Sequence, residues 1–141
     1  MISGFKGRYR FLSNFYLTPV WYGGRVYPSS EHAFQAAKFT DKKSKRLIEK
    51  AETPGEAKRL GNSMLCRGDW DEIRIDVMEE VLRAKFSNPV LKNALVQTAP
   101  HKLIEGNTHG DDFWGVATMK GKNHLGKLLM KLRDEFQNSP E

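Results

Sequence analysis

The sequence contains a single cysteine, Cys66, among 141 residues. No disulfide can therefore close within the chain, and no cysteine cluster can hold zinc. The four histidines, at 32, 101, 109 and 124, show no metal-ligand spacing. Neither a metal nor another cofactor is expected. An apolar run of about 18 residues is missing, and Met1–Lys6 lacks the apolar core of a signal peptide. These absences point away from a membrane and toward a reducing, intracellular and by default cytoplasmic setting. Standard nucleotide fingerprints are missing as well. There is no G-x-G-x-x-G, and Gly121-Lys122-Asn123 follows no Walker pattern. Repeats, linkers and low-complexity tracts are absent, so residues 1–141 are expected to form one compact domain. Its core should lie in residues 5–135, with a frayed tail at 138–141. Acidic residues are in deficit: 17 Asp and Glu against 23 Lys and Arg leave a net charge of +6. That excess favours phosphates, nucleotides or nucleic acid as partners.

What is present reads as α+β and mostly helical, with a small β element near the N-terminus. Val20–Tyr27 predicts a hairpin, because Gly23-Gly24 supplies the positive φ angles of a two-residue turn. Before it, Phe11–Tyr16 reads as a loop that lays aromatics over a pocket or core. Asp41 caps a basic helix that runs through Lys50. Thr53-Pro54-Gly55-Glu56 has a capping-box pattern with proline at the first helical position, and Gly61 is expected to end that helix. The longest helix spans residues 70–86, with Trp70, Ile73, Val77, Val81, Ala84, Met78, Leu82 and Phe86 as its apolar stripe. Asn88-Pro89 starts another helix that reaches Gln97. Lys102–Glu105 fits a short strand. A last helix, 123–137, buries Leu125, Leu128, Leu129, Leu132 and Phe136.

Candidates for chemistry concentrate in three places. The first is the helix Pro28–Phe39, where Ser29 or Ser30 can cap the first turn. On a 3.6-residue period, Glu31, Gln35 and Lys38 fall within roughly 60° of one another. Taken alone, that pattern fits a solvated acid-to-lysine face. The helix is nevertheless apolar around much of its girth, which asks the polar stripe to face a cavity or find partners. The second place is the turn-rich loop Gly106–Gly115, and the third is the aromatic loop at 11–16. Glu31 with Asp111 or Asp112 offers a carboxylate pair for breaking a glycosidic bond, or else a helix cap and a turn organiser. Lys38 offers a cation for phosphate, or an amine if burial lowers its pKa. Trp114, Phe15, Trp21 and Tyr16 offer faces on which a base can stack, though each also suits a core. Cys66 reads as a small buried filler.

The wording of these segments resembles the NADAR family, which includes the YbiA-like N-glycosidases. The resemblance is carried by Pro28-Ser29-Ser30-Glu31-His32-Ala33-Phe34-Gln35-Ala36-Ala37-Lys38-Phe39. It continues at Phe11–Phe15, Leu82–Phe86, Thr98–Pro100, Lys102–Glu105, Asp112-Phe113-Trp114-Gly115 and Gly121–Met130. A family pattern usually places a glycine-rich run before Gly-Lys-Asn, and here Val116-Ala117-Thr118-Met119 intervenes. The resemblance implies a compact, mostly helical domain that hydrolyses N-glycosidic bonds of ribosylated bases. One branch of the family takes aminopyrimidine ribose phosphates of riboflavin synthesis, and another removes ADP-ribose from guanine, including guanine in DNA. It also implies a catalytic role for Glu31, with Lys38 from the same motif and Asp112 from the second. Asn14, Phe15, Gln35, Trp114, Gly115 and Asn123 are then expected at the substrate, and Arg8, Arg10 and Lys122 at phosphates. The basic charge and the lack of a fused biosynthetic domain favour ADP-ribosylated guanine in DNA over the riboflavin intermediate. A non-catalytic ADP-ribose or NAD-binding module is the remaining alternative.

Overall fold

The computed structural model describes residues 1–107, 110–118 and 121–138. The elements in chain order are β1 (Ile2–Ser3), a 3-10 helix (Gly7–Leu12), β2 (Leu17–Tyr22), β3 (Arg25–Ser29), α1 (Ser30–Ala36), α2 (Lys42–Glu49), α3 (Pro54–Ser63), α4 (Trp70–Lys85), α5 (Pro89–Val96), β4 (Leu103–Ile104) and α6 (His124–Asn138). The chain is α+β and mostly helical. It divides into two units, residues 14–85 and residues 1–13 with 86–141.

In the unit 14–85, β2 and β3 form the expected antiparallel hairpin, with Trp21 opposite Val26 and Tyr22 opposite Arg25. Gly23 and Gly24 both have positive φ, 59° and 81°, which an L side chain there would resist. Helix α1 follows β3 without a loop and packs against α2, α3, α4 and the hairpin. All seven of its residues are buried. Asp41 Oδ2 accepts the Ser44 N–H at 2.8 Å to start α2. Thr53 Oγ1 accepts the Glu56 N–H at 3.0 Å to start α3. Both are side-chain caps of the kind that stabilise a helix by about 1 kcal/mol. Trp70, Val77, Met78, Val81 and Leu82 form the buried face of α4, and Trp70 meets Phe34 of α1 at 5.0 Å between ring centroids.

In the other unit, β1 pairs in parallel with β4, Ile2 opposite Leu103. Asn88 Oδ1 accepts the Val90 N–H at 2.9 Å, capping α5 where Pro89 occupies the first turn. Leu125, Leu128, Leu129 and Leu132 of α6 are buried, and α6 packs on α5 and β4. Arg133 of α6 donates to Thr98 Oγ1 and to the His101 carbonyl, at 3.0 and 2.7 Å.

Three expectations are corrected. Gly61 does not end α3, which continues to Ser63; its lack of a side chain serves packing instead. Cys66 is exposed rather than a buried filler, because it lies in the irregular connection after α3. Phe11 and Leu12 belong to the 3-10 helix rather than to a loop. Helix α6 includes Asn138, and residues 139–141 of the expected frayed tail lie outside the described residues.

Candidate active site

The N-terminus of α1 is closed by its own neighbours. Ser29 Oγ accepts the His32 N–H at 3.1 Å, and the Asn14 carbonyl accepts the Glu31 N–H at 3.0 Å. Asn14 Oδ1 in turn accepts from the Ser30 hydroxyl at 2.8 Å, while its Nδ2 lies 3.4 Å from Met78 Sδ. Asn14, expected at the substrate, is therefore held as a brace between the 13–16 segment, α1 and α4. His32 is fixed on both sides. Its Nε2 reaches the Ala51 carbonyl at 3.0 Å, which can only accept, so Nε2 carries the proton. Its Nδ1 accepts from Ser29 Oγ at 2.7 Å. Burial lowers the His32 pKa, opposed in part by the Ala51 carbonyl.

Glu31 is 7% exposed and Gln35 3%, so the solvated reading of their shared stripe fails. Gln35 Nε2 donates to Glu31 Oε2 at 2.7 Å. A charged acceptor makes this one of the stronger neutral-to-ion hydrogen bonds, and the position in the first turn also favours the carboxylate. Gln35 Oε1 is buried with no hydrogen-bond partner among the described residues. It packs on Gly61 of α3 instead: a Cβ added there would collide with Oε1 and lie 2.9 Å from Cδ. Gly61 thus lets α3 approach α1 closely enough to pin the glutamine that orients Glu31.

The helix expected to run through Lys38 to Phe39 is shorter, and Lys38 lies outside α1. Helix α1 stops at Ala36, and the Lys38 N–H bonds back to the Gln35 carbonyl across a tighter turn at 3.2 Å. Lys45 of α2 closes this end by donating to the Ala36 carbonyl at 3.3 Å. The Arg67 N–H bonds the Lys38 carbonyl at 2.8 Å. The Lys38 ammonium donates to Asn62 Oδ1 of α3 at 2.9 Å. Burial lowers its pKa; the charges of Glu31 and Cys66 push it back up, and Lys58 pushes it down again. Glu31, Gln35, Gly61, Asn62, Lys58 and Lys38 therefore form one polar cluster where α1 meets α3. Phe15 is half-exposed, with its ring edge toward Gly55 at the start of α3. Trp21 is 70% exposed on β2, and Tyr16 lies beneath the buried Lys85 ammonium, 5.8 Å from ring centroid to Nζ.

The loop after β4 is ordered from within. Asp111 Oδ1 accepts the Phe113 and Trp114 N–H groups at 3.1 and 3.0 Å. Asp112 Oδ1 accepts from the N–H groups of Ala117 and Thr118, and its Oδ2 from the Thr118 hydroxyl, all between 2.8 and 2.9 Å. These bonds, led by the Thr118 N–H, hold the Asp112 carboxyl below its usual pKa. The Gly115, Phe113 and Trp114 carbonyls then receive the N–H groups of Asn123, His124 and Leu125 at the start of α6. Gly115 is buried against Glu105 and Asn107. Asn123 adopts a positive φ of 53°. Its amide links the Glu105 N–H to the Leu103 carbonyl at 2.9 and 3.0 Å. Asp112 and Asn123 are both committed to holding this loop. Trp114 packs edge-on against Phe113 at 4.8 Å, and Lys122 Nζ sits 5.9 Å from the Phe113 ring. Arg8 is exposed and donates to Tyr9 Oη at 2.7 Å. Arg10 is exposed at the end of the 3-10 helix.

The arrangement defines a class first: a mostly helical α+β fold whose central short helix buries a braced carboxylate beside a half-buried lysine. The NADAR domain family matches residues 4–137, and the chain belongs to that family. The chain is 42% identical over 128 residues to the N-glycosidase YbiA of Escherichia coli (strain K12), covering 88% of this chain and 79% of that one. It is 39% identical over 115 residues to an N-glycosidase of Nostoc punctiforme, covering 77% and 73%. A riboflavin biosynthesis protein of Vibrio vulnificus is 39% identical over 131 residues, covering 90% of this chain and 35% of that one. The solution structure of E. coli YbiA superposes with a TM-score of 0.86 at 39% identity, over 96% of this chain and 84% of that one.

Lys58, Asn62 and Gly61 have no place in the sequence-based list of site residues. The i, i+4 spacing of Lys58 and Asn62 was visible, but only packing of α3 on α1 brings them to Lys38.

Proposed function

We propose that this protein is an N-glycosidase that hydrolyses the bond between ribose and a base nitrogen, with Glu31 and Lys38 as its catalytic residues. The observation that carries this reading is the buried Glu31 carboxylate, braced by Gln35, in one cluster with a lysine whose pKa burial lowers. Cleavage of an N-glycosidic bond builds positive charge at the anomeric carbon as the bonding pair leaves with the base. A fixed carboxylate in a water-poor site stabilises that charge and accepts a proton from the attacking water. In the alternative route the neutral Lys38 amine adds to the anomeric carbon of the ring-opened sugar. The base departs with the bonding pair and takes up a proton, and water then hydrolyses the resulting imine to free sugar and amine.

The substrate we favour is ADP-ribosylated guanine in DNA. The +6 charge and the exposed Lys42, Lys43, Arg46 and Lys50 on and next to α2 support it. An aminopyrimidine ribose phosphate is the second reading, supported by the likeness to the Vibrio riboflavin protein. Incubation with each substrate separately tests both. Release of free ADP-ribose from modified DNA, reduced about 100-fold or more in Glu31→Gln, is the expected result. Two intact substrates together with tight ADP-ribose binding would overturn the enzyme reading in favour of a binding module.

A further inference from the structure

Lys38 and Lys58 both flank Asn62 of α3. The Lys38 ammonium donates to a neutral partner, Asn62 Oδ1, and Lys58 stands one turn before Asn62 on α3, on the same face. Lys58 forms no ion pair with any described residue. The two like charges oppose one another, Lys58 lowering the Lys38 pKa, and burial of Lys38 weakens the screening that water would give. Among the described residues, Glu31 is the carboxylate whose charge raises the Lys38 pKa, and it also accepts from Gln35. Asn62 uses its oxygen on Lys38, which leaves its Nδ2, on an exposed residue, to donate outward.

We propose that Lys58 and Asn62, with Lys38 behind them, form a phosphate subsite on the face of α3 that holds the phosphate carried by the substrate's ribose. The subsite rests on the N-glycosidase reading for its place in catalysis, but it makes a binding claim of its own. The chemistry recognised is a phosphate monoester or diphosphate: a compact cation from Lys58 and a fixed amide N–H₂ from Asn62 converge on it. Seated there, the phosphate neutralises the Lys38–Lys58 pair and places the attached sugar beside Glu31. Lys38 then lies between the two ends of the ligand, which suits a residue that must reach the anomeric carbon. Sugar phosphates and nucleic-acid backbones share this chemistry, and the test separates them.

The intact protein and its Lys58→Ala, Lys58→Arg, Asn62→Ala and Arg59→Ala variants would be titrated calorimetrically with inorganic phosphate, ADP-ribose and unmodified ribose. Kinetics would compare a ribosylated base carrying a 5′-phosphate with its dephosphorylated form. The preference for the phosphorylated substrate, as a ratio of kcat/KM values, is expected to fall about 10-fold or more in Lys58→Ala and to be largely restored in Lys58→Arg. Arg59→Ala, one residue away on α3, should keep the wild-type ratio. Equal losses on both substrates, or ADP-ribose affinity that Lys58→Ala and Asn62→Ala leave unchanged, would overturn the subsite. If unmodified DNA binds with an affinity that Lys58→Ala lowers while ADP-ribose affinity stays constant, the residue serves a nucleic-acid backbone and the sugar-phosphate assignment fails. Failure of wild-type turnover on both substrates would sink the N-glycosidase reading alone, since phosphate and ADP-ribose binding still decide the subsite.

Discussion

Gln35 is pinned between a carboxylate on its own helix and a glycine on the next one. Gly61→Ala gains helix propensity of about 1 kcal/mol, but its methyl must displace a buried amide that has nowhere to go. Overpacking of this kind costs about 1–3 kcal/mol, so the melting temperature is expected to fall. Loss of the brace on Glu31 should lower kcat/KM as well. The double variant Gln35→Ala/Gly61→Ala tests the cause: with the amide gone, the added methyl should cost little further stability, a coupling that a thermodynamic cycle measures. Lys38 gives a second prediction at this scale. Its pKa is lowered from 10.5 by burial, and Lys58 adds to the lowering. An amine nucleophile works only when deprotonated, so under the lysine-adduct route kcat/KM rises with pH through this ionisation. Lys58→Ala removes a like charge and moves that midpoint to higher pH, read on a substrate without phosphate. A midpoint that stays in place, with no borohydride-trapped adduct, points to direct attack by water.

Helix α1 has only seven residues and buries all of them, a length far below what sustains an isolated helix in water. Its existence depends on tertiary packing and on closure of both ends. Ser29→Ala removes the oxygen that accepts the His32 N–H and the hydroxyl that donates to His32 Nδ1. A loss of about 1–2 kcal/mol is expected in a denaturant melt. His32 itself gives a pH signature. Burial lowers its pKa from the ordinary 6.5, so the unfolded chain binds the proton more readily than the folded one. This contribution is complete above about pH 6.5, falls as pH drops through that value, and levels off below the folded pKa. His32→Gln should therefore melt lower than wild type at neutral pH, with the gap narrowing in acid. The caps at Asp41, Thr53 and Asn88 were legible in the sequence because each is a contact within three residues. The fate of the α1 stripe was not. Glu31 and Gln35 stand four residues apart as on a solvated face, and what buries them includes α3, which no local pattern can place. Gly61 shows the same limit: as a glycine near a helix end it reads as a stop, while its actual role is to let a second helix come close. The motif marks Asn123 as a substrate residue, while its left-handed backbone and the bonds of its amide to Glu105 and Leu103 hold the turn that starts α6, which no local pattern announces.

At the scale of the whole molecule, the family and the mostly helical class were legible because motif words survive in order along most of the chain. The substrate was not, since the net charge of +6 acts at a distance and names no particular anion. Salt dependence turns that charge into a measurement. Each DNA phosphate neutralised by a lysine or arginine releases condensed counterions, giving a slope of about −0.9 per contact in log affinity against log salt for duplex DNA. If modified DNA is the substrate, its kcat/KM should fall steeply as salt rises from about 50 to 200 mM, whereas a modified mononucleotide should lose far less. The exposed Lys42, Lys43 and Arg46 of α2 are the groups most able to track a backbone on the unit that carries Glu31. Reversing all three to glutamate should flatten the salt slope by about two to three contacts and lower turnover of the DNA substrate well below that of the mononucleotide. An unchanged slope would place the DNA backbone elsewhere on the protein. Equal salt dependence for the two substrates would remove the charge argument for DNA and leave the small ribose phosphate as the better substrate.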